Sequence, residues 1–419
     1  MSNNVARRPS QTSSVTETAG AVAKLQSAVR RKKIALIGTA VYPLSHTQHF
    51  LDRFLLGYTW DSAWHRPAVD LVSLYIDQFP NNDLARSTAK RHNVPIFPTV
   101  EDALTLGGSN LAVDGVVIIG EHGVYPRNDK GQWLYPRFKF FKQVVGVFES
   151  TGRSVPVFHD KHLSTEWSDC VEMVNDSKRL QFPFLAGSAL PVTRRMPAID
   201  MPYGASLLEA VCAGYGRMDS YDFHGLETLQ CMSERRHGGE VGIRSVHAMR
   251  GGRMWNHVAN REITQKLLVA ALTRSHNLPA PNGYPSDSVS FDWMRKSFPD
   301  GWAYFIEHRE GLRTSLFMLD IHDFNYAGIL ANGEIVSCQM YLPMPGHGST
   351  TADFFNPLVR HIEQMIVDNR SPYPAERTLL TSGMTLAGVD SFYRGEQVVE
   401  TPEMDVRYTV GAESLFWTV

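Results

Sequence analysis

The chain has 419 residues, of which 43% are hydrophobic, and a formal net charge of −2. This length is enough for two sizeable cores, and we expect two domains. The near-neutral charge gives no electrostatic reason to expect nucleic acid or an anionic membrane as a partner. No apolar run reaches the roughly 18 residues that span a bilayer, so we predict no membrane association.

The N-terminal segment and the cysteines indicate where the protein works. Residues 1–31 are rich in Ser, Thr, Asn and Ala, and we expect a disordered tail there. The four cysteines are widely scattered and show no CxxC spacing, which is typical of reduced thiols. No apolar signal-peptide segment follows the first residues, so we predict a cytoplasmic protein.

Strands and helices alternate through the first half of the chain. The apolar pattern predicts strands over residues 34–38, 69–76, 94–97, 113–119, 155–158 and 182–187. It predicts helices over 83–92, 100–106, 138–152 and 164–180, and one more after Ser45, which forms a capping box with Gln48. Such alternation with short links favours a doubly wound, Rossmann-like parallel sheet, which we assign to residues 32–190.

From residue 191 the pattern changes to consecutive strands with flanking helices. Strands are predicted over residues 242–249, 302–306, 314–321, 326–330 and 334–341, and helices over 203–213, 223–234, 260–274 and 354–368. This arrangement predicts a second, α+β domain over residues 191–419 with a mostly antiparallel sheet.

A polar pair follows the buried strand at residues 115–119. After this continuous apolar run the chain reads Gly120-Glu121-His122-Gly123. Ligands of open α/β sheets bind beyond the carboxyl ends of the strands. Glu121 and His122 are therefore candidates for positioning a substrate, and the alternative is a solvated turn.

The first strand ends in a modified glycine loop. A dinucleotide fold uses three glycines here, for the turn, for approach to the pyrophosphate and for packing of the helix on the strand. Gly38 occupies the first place, Ala40 the second and Pro43 about the third, which weakens nicotinamide binding without excluding it. Asp77, after the second strand, is either a ligand of a ribose hydroxyl or an ordinary loop residue. The candidate cofactor-binding residues are Gly38, Thr39, Ala40, Asp77 and Gly120.

From about Lys33 onward the order of these parts resembles the Gfo/Idh/MocA oxidoreductase family. The resemblance rests on residues 83–104 with 113–119, and on the closing segments 354–364 and 383–399. It implies a Rossmann domain followed by an α/β domain with an open, largely antiparallel sheet. It also implies NAD- or NADP-linked hydride transfer on a carbohydrate- or polyol-like substrate, and a homo-oligomer built through the open face of the second sheet.

Two functional positions of this family have counterparts here. In Phe158-His159-Asp160-Lys161-His162, Lys161 matches the family's catalytic lysine, and Asp160 and His162 replace a Glu and a Pro. His224, followed three residues later by Glu227, matches a histidine at a helix start. The resemblance thus implies that Lys161 and His224 are an acid–base pair. The alternatives are a surface lysine and a histidine satisfied by Asp222 or by the backbone.

The histidines also allow a different class of enzyme. His46, His122, His159, His162 and His224, together with Glu121, Asp160 and Glu227, all follow strands or begin helices. Two or three histidines with a carboxylate can bind a divalent metal, and we name His159, His162 and Glu227 as candidate ligands. Such a site would give a non-redox lyase, hydrolase or isomerase on a fold that has lost nicotinamide binding. No fixed motif such as HExxH supports it, and a pure binding role is a third hypothesis.

Overall fold

A computed structural model of the chain describes residues 31–278, 289–343 and 351–418. Two sheets form the framework, one of six strands and one of eight, and a small two-stranded sheet is added to them. Except for Arg31, the tail predicted over residues 1–31 lies outside the described residues.

The six-stranded sheet confirms the predicted doubly wound architecture. Its members and those of the small hairpin are β1 (Lys32–Gly38), β2 (Tyr58–Trp60), β3 (Ala63–His65), β4 (Val69–Ile76), β5 (Ile96–Phe97), β6 (Gly115–Ile119), β7 (Val157–Asp160) and β8 (Phe184–Gly187). The order is β5-β4-β1-β6-β7-β8, and every pairing in it is parallel. The strand order reverses at β1, which creates a crevice between the ends of β1 and β6.

Five helices accompany these strands. They are α1 (His46–Leu56), α2 (Ala85–His92), α3 (Val100–Thr105), α4 (Arg137–Thr151) and α5 (Trp167–Arg179). The predicted capping of α1 is confirmed, because the Ser45 side chain accepts from the Gln48 amide and Gly57 ends the helix. Alternate residues of β1 point to opposite faces, so Ile34 packs with α1 and Ala35 packs with α4.

The eight-stranded sheet is mixed and mostly antiparallel, as predicted. Its strands are β9 (Arg195–Met196), β10 (Leu207–Gly214), β11 (Ile243–Arg250), β12 (Trp302–His308), β13 (Arg313–Met318), β14 (Phe324–Leu330), β15 (Ile335–Met340) and β16 (Val399–Glu400). They run in the order β16-β11-β12-β13-β10-β14-β15-β9, and only β10 and β13 pair in parallel.

The helix predicted over residues 203–213 is wrong. This segment contains β10, a central strand buried along almost its whole length. A strand covered on both faces is apolar at successive positions, and over so short a run this pattern does not differ from that of a buried helix. The pairing of β10 with β13 and β14 decided its structure.

Helices cover both faces of the second sheet. The α-helices described after residue 191 are α6 (Tyr221–Ser233), α7 (Gly251–Val258), α8 (Glu262–Leu272), α9 (Phe291–Ser297), α10 (Asn356–Asp368) and α11 (Glu376–Tyr393), and all except α10 pack on this sheet. Side chains of α6 and α11 pack on one face, and those of α7, α8 and α9 pack on the other. The open face of the second sheet, through which the resemblance implied a homo-oligomer, is therefore covered by helices of the described chain. The oligomeric state stays a prediction.

The last two helices connect the sheets. Residues of α10 pack into the core of the six-stranded sheet, whereas α11 packs against α5, α6 and β11. The C-terminal part of the chain thus returns to the first sheet, and the domain limit at residues 190/191 stays a prediction. The four cysteines are free and buried, and none of the described helices has the length and apolarity needed to cross a bilayer.

Candidate functional site

A cavity of about 210 Å³ lies beyond the carboxyl ends of β6, β7 and β8. Its lining comes from the segments that follow these strands, from the end of the β1–α1 link and the first turn of α1, from the start of α6, and from residues 342, 354 and 355. The residues are Leu44, His46, His49, Glu121, His122, Asp160, Lys161, Ser188, Ala189, Leu190, Ser220, Tyr221, His224, Leu342, Phe354 and Phe355. Segments that follow neighbouring parallel strands meet at one edge of the sheet, which explains why residues far apart in sequence gather here.

Lys161 and His224 are in direct contact in this cavity. The Nζ atom of Lys161 is hydrogen-bonded to Nε2 of His224. Lys161 is only 4% exposed, so the alternative of a surface lysine is wrong. Its φ of 67° is rare for a residue with a side chain, and strained backbone of this kind concentrates at functional sites.

The groups in and around this pair differ in charge. Burial and the neighbouring Lys161 ammonium hold the pKa of His224 well below its ordinary value, so the imidazole is neutral and accepts the lysine's hydrogen bond. Burial alone would raise the pKa of Glu121, but the charge of Lys161, 3.7 Å from Oε2, helps to hold it well below its usual range. The cavity therefore combines an ammonium, a carboxylate and a neutral imidazole.

His46, His122 and Asp160 also line the cavity. His46 Nδ1 lies 2.7 Å from Asp160 Oδ2, and the His46 ring meets the edge of the His122 ring at a centroid distance of 5.2 Å. Burial lowers the pKa of His122 to about 4. Glu121 is 7% exposed and His122 is half-buried, so the pair does not form a solvated turn.

Arg137, which the sequence analysis did not select, lies next to residues of the cavity without lining it. Its Nη1 lies 2.6 Å from His162 Nε2, and its Nη2 lies 4.0 Å from Glu121 Oε2. His162 is also 3.5 Å from Asp219 Oδ1. Arg137 follows Tyr135-Pro136 at the start of α4, and nothing in its sequence position indicates that it lies beside the Glu121 carboxylate.

The candidate metal ligands His159, His162 and Glu227 do not come together. Glu227 is buried and accepts hydrogen bonds from the Thr381 hydroxyl and the Ser188 amide. His159 is fully buried, and none of the three residues lines the cavity. Their ligand atoms do not form a close set among the described residues, so the structure does not support this choice of metal ligands.

The candidate cofactor-binding residues lie at the neighbouring part of the edge, outside the cavity lining. Thr39 and Ala40 are fully buried. Gly38 serves helix packing, since a Cβ there would lie 2.7 Å from Thr47 Cγ2, and a Cβ at Gly120 would lie 2.9 Å from Arg137 Cγ. Asp77 accepts hydrogen bonds at its two oxygens from the hydroxyls of Tyr75 and Tyr125, at 2.9 and 2.6 Å.

The start of α1 is also occupied by the chain's own side chains. The Tyr42 and Gln48 amides donate to the Ser45 hydroxyl, and the Leu44 amide donates to Gln48 Oε1. A pyrophosphate at a helix N-terminus needs such amides free. The residues at this edge, arranged as they are, do not fit a dinucleotide.

Comparison with known proteins shows the fold. No protein-family model matches the chain, and no curated protein matches its sequence. Among solved structures, GenD2 from gentamicin A biosynthesis in complex with NAD is similar at a TM-score of 0.56 and 13% identity, covering 89% of this chain and 97% of that chain.

Two bacterial dehydrogenases show the same likeness. The myo-inositol dehydrogenase from Lactobacillus casei, in complex with NAD(H) and myo-inositol, has a TM-score of 0.56 at 10% identity over 92% of this chain and 99% of that chain. A probable dehydrogenase from Thermotoga maritima has a TM-score of 0.53 at 10% identity over 89% and 99%. At such low identity these likenesses establish a Rossmann-type two-sheet fold and leave the chemistry to the site.

Proposed function

We propose that the chain is an enzyme that transfers a proton on a carbohydrate- or polyol-like substrate bound in the cavity. In this proposal Lys161 and His224 are the acid–base pair, and Glu121 and His122 position the substrate. The contact between a buried lysine and a neutral histidine carries the proposal. Enzymes that transfer protons commonly use a lysine or a histidine placed in a cavity at the end of a strand.

The step follows from the protonation states of the pair. When the carbonyl oxygen of the sugar-like substrate takes over the hydrogen bond of the Lys161 ammonium, the lone pair of neutral His224 Nε2 is released. It takes a proton from the carbon next to that carbonyl, and the electron pair of the broken C–H bond forms an enolate. The Lys161 ammonium stabilises the developing oxyanion, since such charges are most effective in a site that excludes water. Return of this proton to the former carbonyl carbon, with transfer of the adjacent hydroxyl's proton to the enolate oxygen, gives an isomerisation. Departure of a hydroxyl from the next carbon as water, protonated by His224, gives a lyase reaction.

The cavity lining supports a sugar-like substrate. It combines polar groups, among them Glu121, Lys161 and His224, with apolar side chains, among them Leu342, Phe354 and Phe355. A carbohydrate or polyol ring has hydroxyls at its rim and C–H groups on its faces, so it can contact both kinds of side chain.

NAD(P)-linked oxidation of the same substrate class is the second candidate function. The Gfo/Idh/MocA resemblance and the fold shared with NAD complexes favour it. The occupied helix start and the bonded Asp77 count against it, so we derive no step through a nicotinamide. Because proton transfer requires only residues that are in place, we prefer the non-redox reaction.

One experiment separates the two candidates. The purified protein is incubated in D₂O with a panel of sugars, sugar acids and inositols, and deuterium at carbon is measured by NMR with and without NAD(H) or NADP(H). Nicotinamide-independent deuterium incorporation supports the proposal, whereas turnover only with a nicotinamide supports the second candidate. In parallel, a nicotinamide at a hundred times its Kd would add about 2.7 kcal/mol of stability and would be visible as a thermal shift.

A further inference from the structure

We infer that the cavity binds one divalent transition-metal cation, such as Mn²⁺ or Zn²⁺, through His46, Glu121 and Asp160. Each of these residues offers a ligand atom, and the three atoms lie within 4.8 Å of one another. All three residues line the cavity. The catalytic meaning of the cation rests on the proposed function, whereas the binding itself rests on the geometry of these side chains.

Unsatisfied polar atoms point to a missing ligand. Glu121 Oε2 and Asp160 Oδ1 are buried and have no hydrogen-bond partner among the described residues. The two residues are 7% and 1% exposed. Buried polar atoms are rarely left without a partner, because the lost hydration costs free energy. Nε2 of the adjacent His122 is likewise buried without a hydrogen-bond partner in the described chain, but His122 does not belong to the close set.

The existing contacts leave these atoms available. Asp160 uses Oδ2 to orient His46 at 2.7 Å, and Oδ1 stays free. Within the described residues, Glu121 Oε2 forms ion pairs with Lys161 Nζ at 3.7 Å and Arg137 Nη2 at 4.0 Å, both beyond hydrogen-bond distance. A carboxylate whose own contacts fix its orientation is a good metal ligand.

Charge and donor type select the class of cation. Two carboxylates neutralise a divalent ion, and imidazole nitrogen with carboxylate oxygen suits Zn²⁺ or Mn²⁺ better than Mg²⁺, which prefers oxygen ligands and retains its waters. Bound beside Lys161, the ion would help to stabilise an enolate oxygen.

A second cluster with similar spacing provides an internal control. Ligand atoms of Glu240, His308 and Glu310 also lie within 4.8 Å of one another. Glu240, however, accepts hydrogen bonds from Gln230, Arg236, the Gly242 amide and other groups, and Arg236 lies between the two glutamates. The Arg236 guanidinium already supplies the positive charge between these carboxylates, so we expect no metal there.

Titration of the chelator-treated full chain with MnCl₂ and with ZnCl₂ tests the inference. Calorimetry is the readout for both ions and electron paramagnetic resonance a second readout for Mn²⁺, with MgCl₂ for comparison. We expect one Mn²⁺ per chain, with binding at least 10-fold weaker in Asp160→Asn and in Glu121→Gln and unchanged in Glu310→Gln. His46→Gln, at a partly exposed position, gives a third variant if a buried carboxylate change prevents folding, which circular dichroism would show.

Several outcomes would overturn the inference. They are the absence of stoichiometric Mn²⁺ and Zn²⁺ binding, loss of binding in Glu310→Gln, or full binding in all three ligand variants. Its failure is distinguishable from that of the proposed function. Metal binding without substrate exchange would contradict the function alone, and exchange by a chain that binds no metal would contradict this inference alone.

Discussion

The carboxyl edge of the parallel sheet has two regions with opposite properties. Beyond the carboxyl ends of β1 and β4, hydrogen bonds within the chain engage the polar groups. They involve the Asp77 oxygens, the amides before α1 and the Gln78 side chain. Above β6 and β7, Glu121 and Asp160 keep buried oxygens without partners in the described chain. The fold is common to both regions, so the state of the polar groups, and not the fold, indicates where a ligand binds.

The largest expected effect concerns the cavity. Lys161→Met should reduce deuterium exchange at least 100-fold, because the ammonium that stabilises the oxyanion is lost while an unbranched side chain of similar length is kept. Lys178→Met, at an exposed lysine paired with Glu376, is the matched control and should exchange like the parent protein. Equal rates in the two variants would remove Lys161 from the chemistry.

The next test addresses the occupied region. Tyr125→Phe removes the donor to Asp77 and should lower the free energy of unfolding by about 2 kcal/mol in urea titrations, since hydrogen bonds to charged groups contribute this much. Tyr393→Phe, at an exposed tyrosine, should change stability by less than about 0.5 kcal/mol.

If this region is a dinucleotide site after all, the parent protein will gain stability with NAD(H) or NADP(H). A thermal shift that disappears when Asp77 is replaced by Ala would contradict our comparison of the two regions.

A third prediction uses pH. Burial lowers the pKa of His159 to about 3, so the folded chain keeps this imidazole neutral while the unfolded chain takes up a proton below about 6.5. This residue's contribution to stability is complete above pH 6.5 and falls with decreasing pH. Between pH 7 and pH 5 the parent should therefore lose about 2 kcal/mol more than His159→Met. If the free energy of unfolding fell equally with pH in the two proteins, the imidazole would not be held neutral in the folded chain.

The smallest effect concerns the start of α1. Ser45 accepts the Tyr42 and Gln48 amides, whereas Ser290, which caps α9, accepts one amide. Ser45→Ala should cost about 1 kcal/mol and more than Ser290→Ala, as measured by thermal unfolding. An equal or smaller loss of stability would mean that the hydrogen bonds from the amides to the Ser45 hydroxyl are weaker than their geometry indicates.

The amino-acid sequence predicted much of this structure because local patterns decide much of it. The alternation of apolar runs gave the parallel sheet, and the Ser45 cap gave the start of α1. Glu121 could be selected because it follows a strand, and Lys161 and His224 because they match two positions of the family that the sequence resembles. The structure brings the three together, although their roles stay predictions. The strand β10 was misassigned because burial on both faces removes the periodicity that separates strands from helices.

The sequence alone determined the order of the elements and the edge at which the polar residues gather, because both depend on neighbours along the chain. Only the tertiary structure decided which polar atoms there have partners. Tyr125 reaches Asp77 across 48 positions, and His46 reaches Asp160 across 114. Such contacts depend on the packing of distant segments, and no local pattern encodes which side chain will satisfy which buried atom.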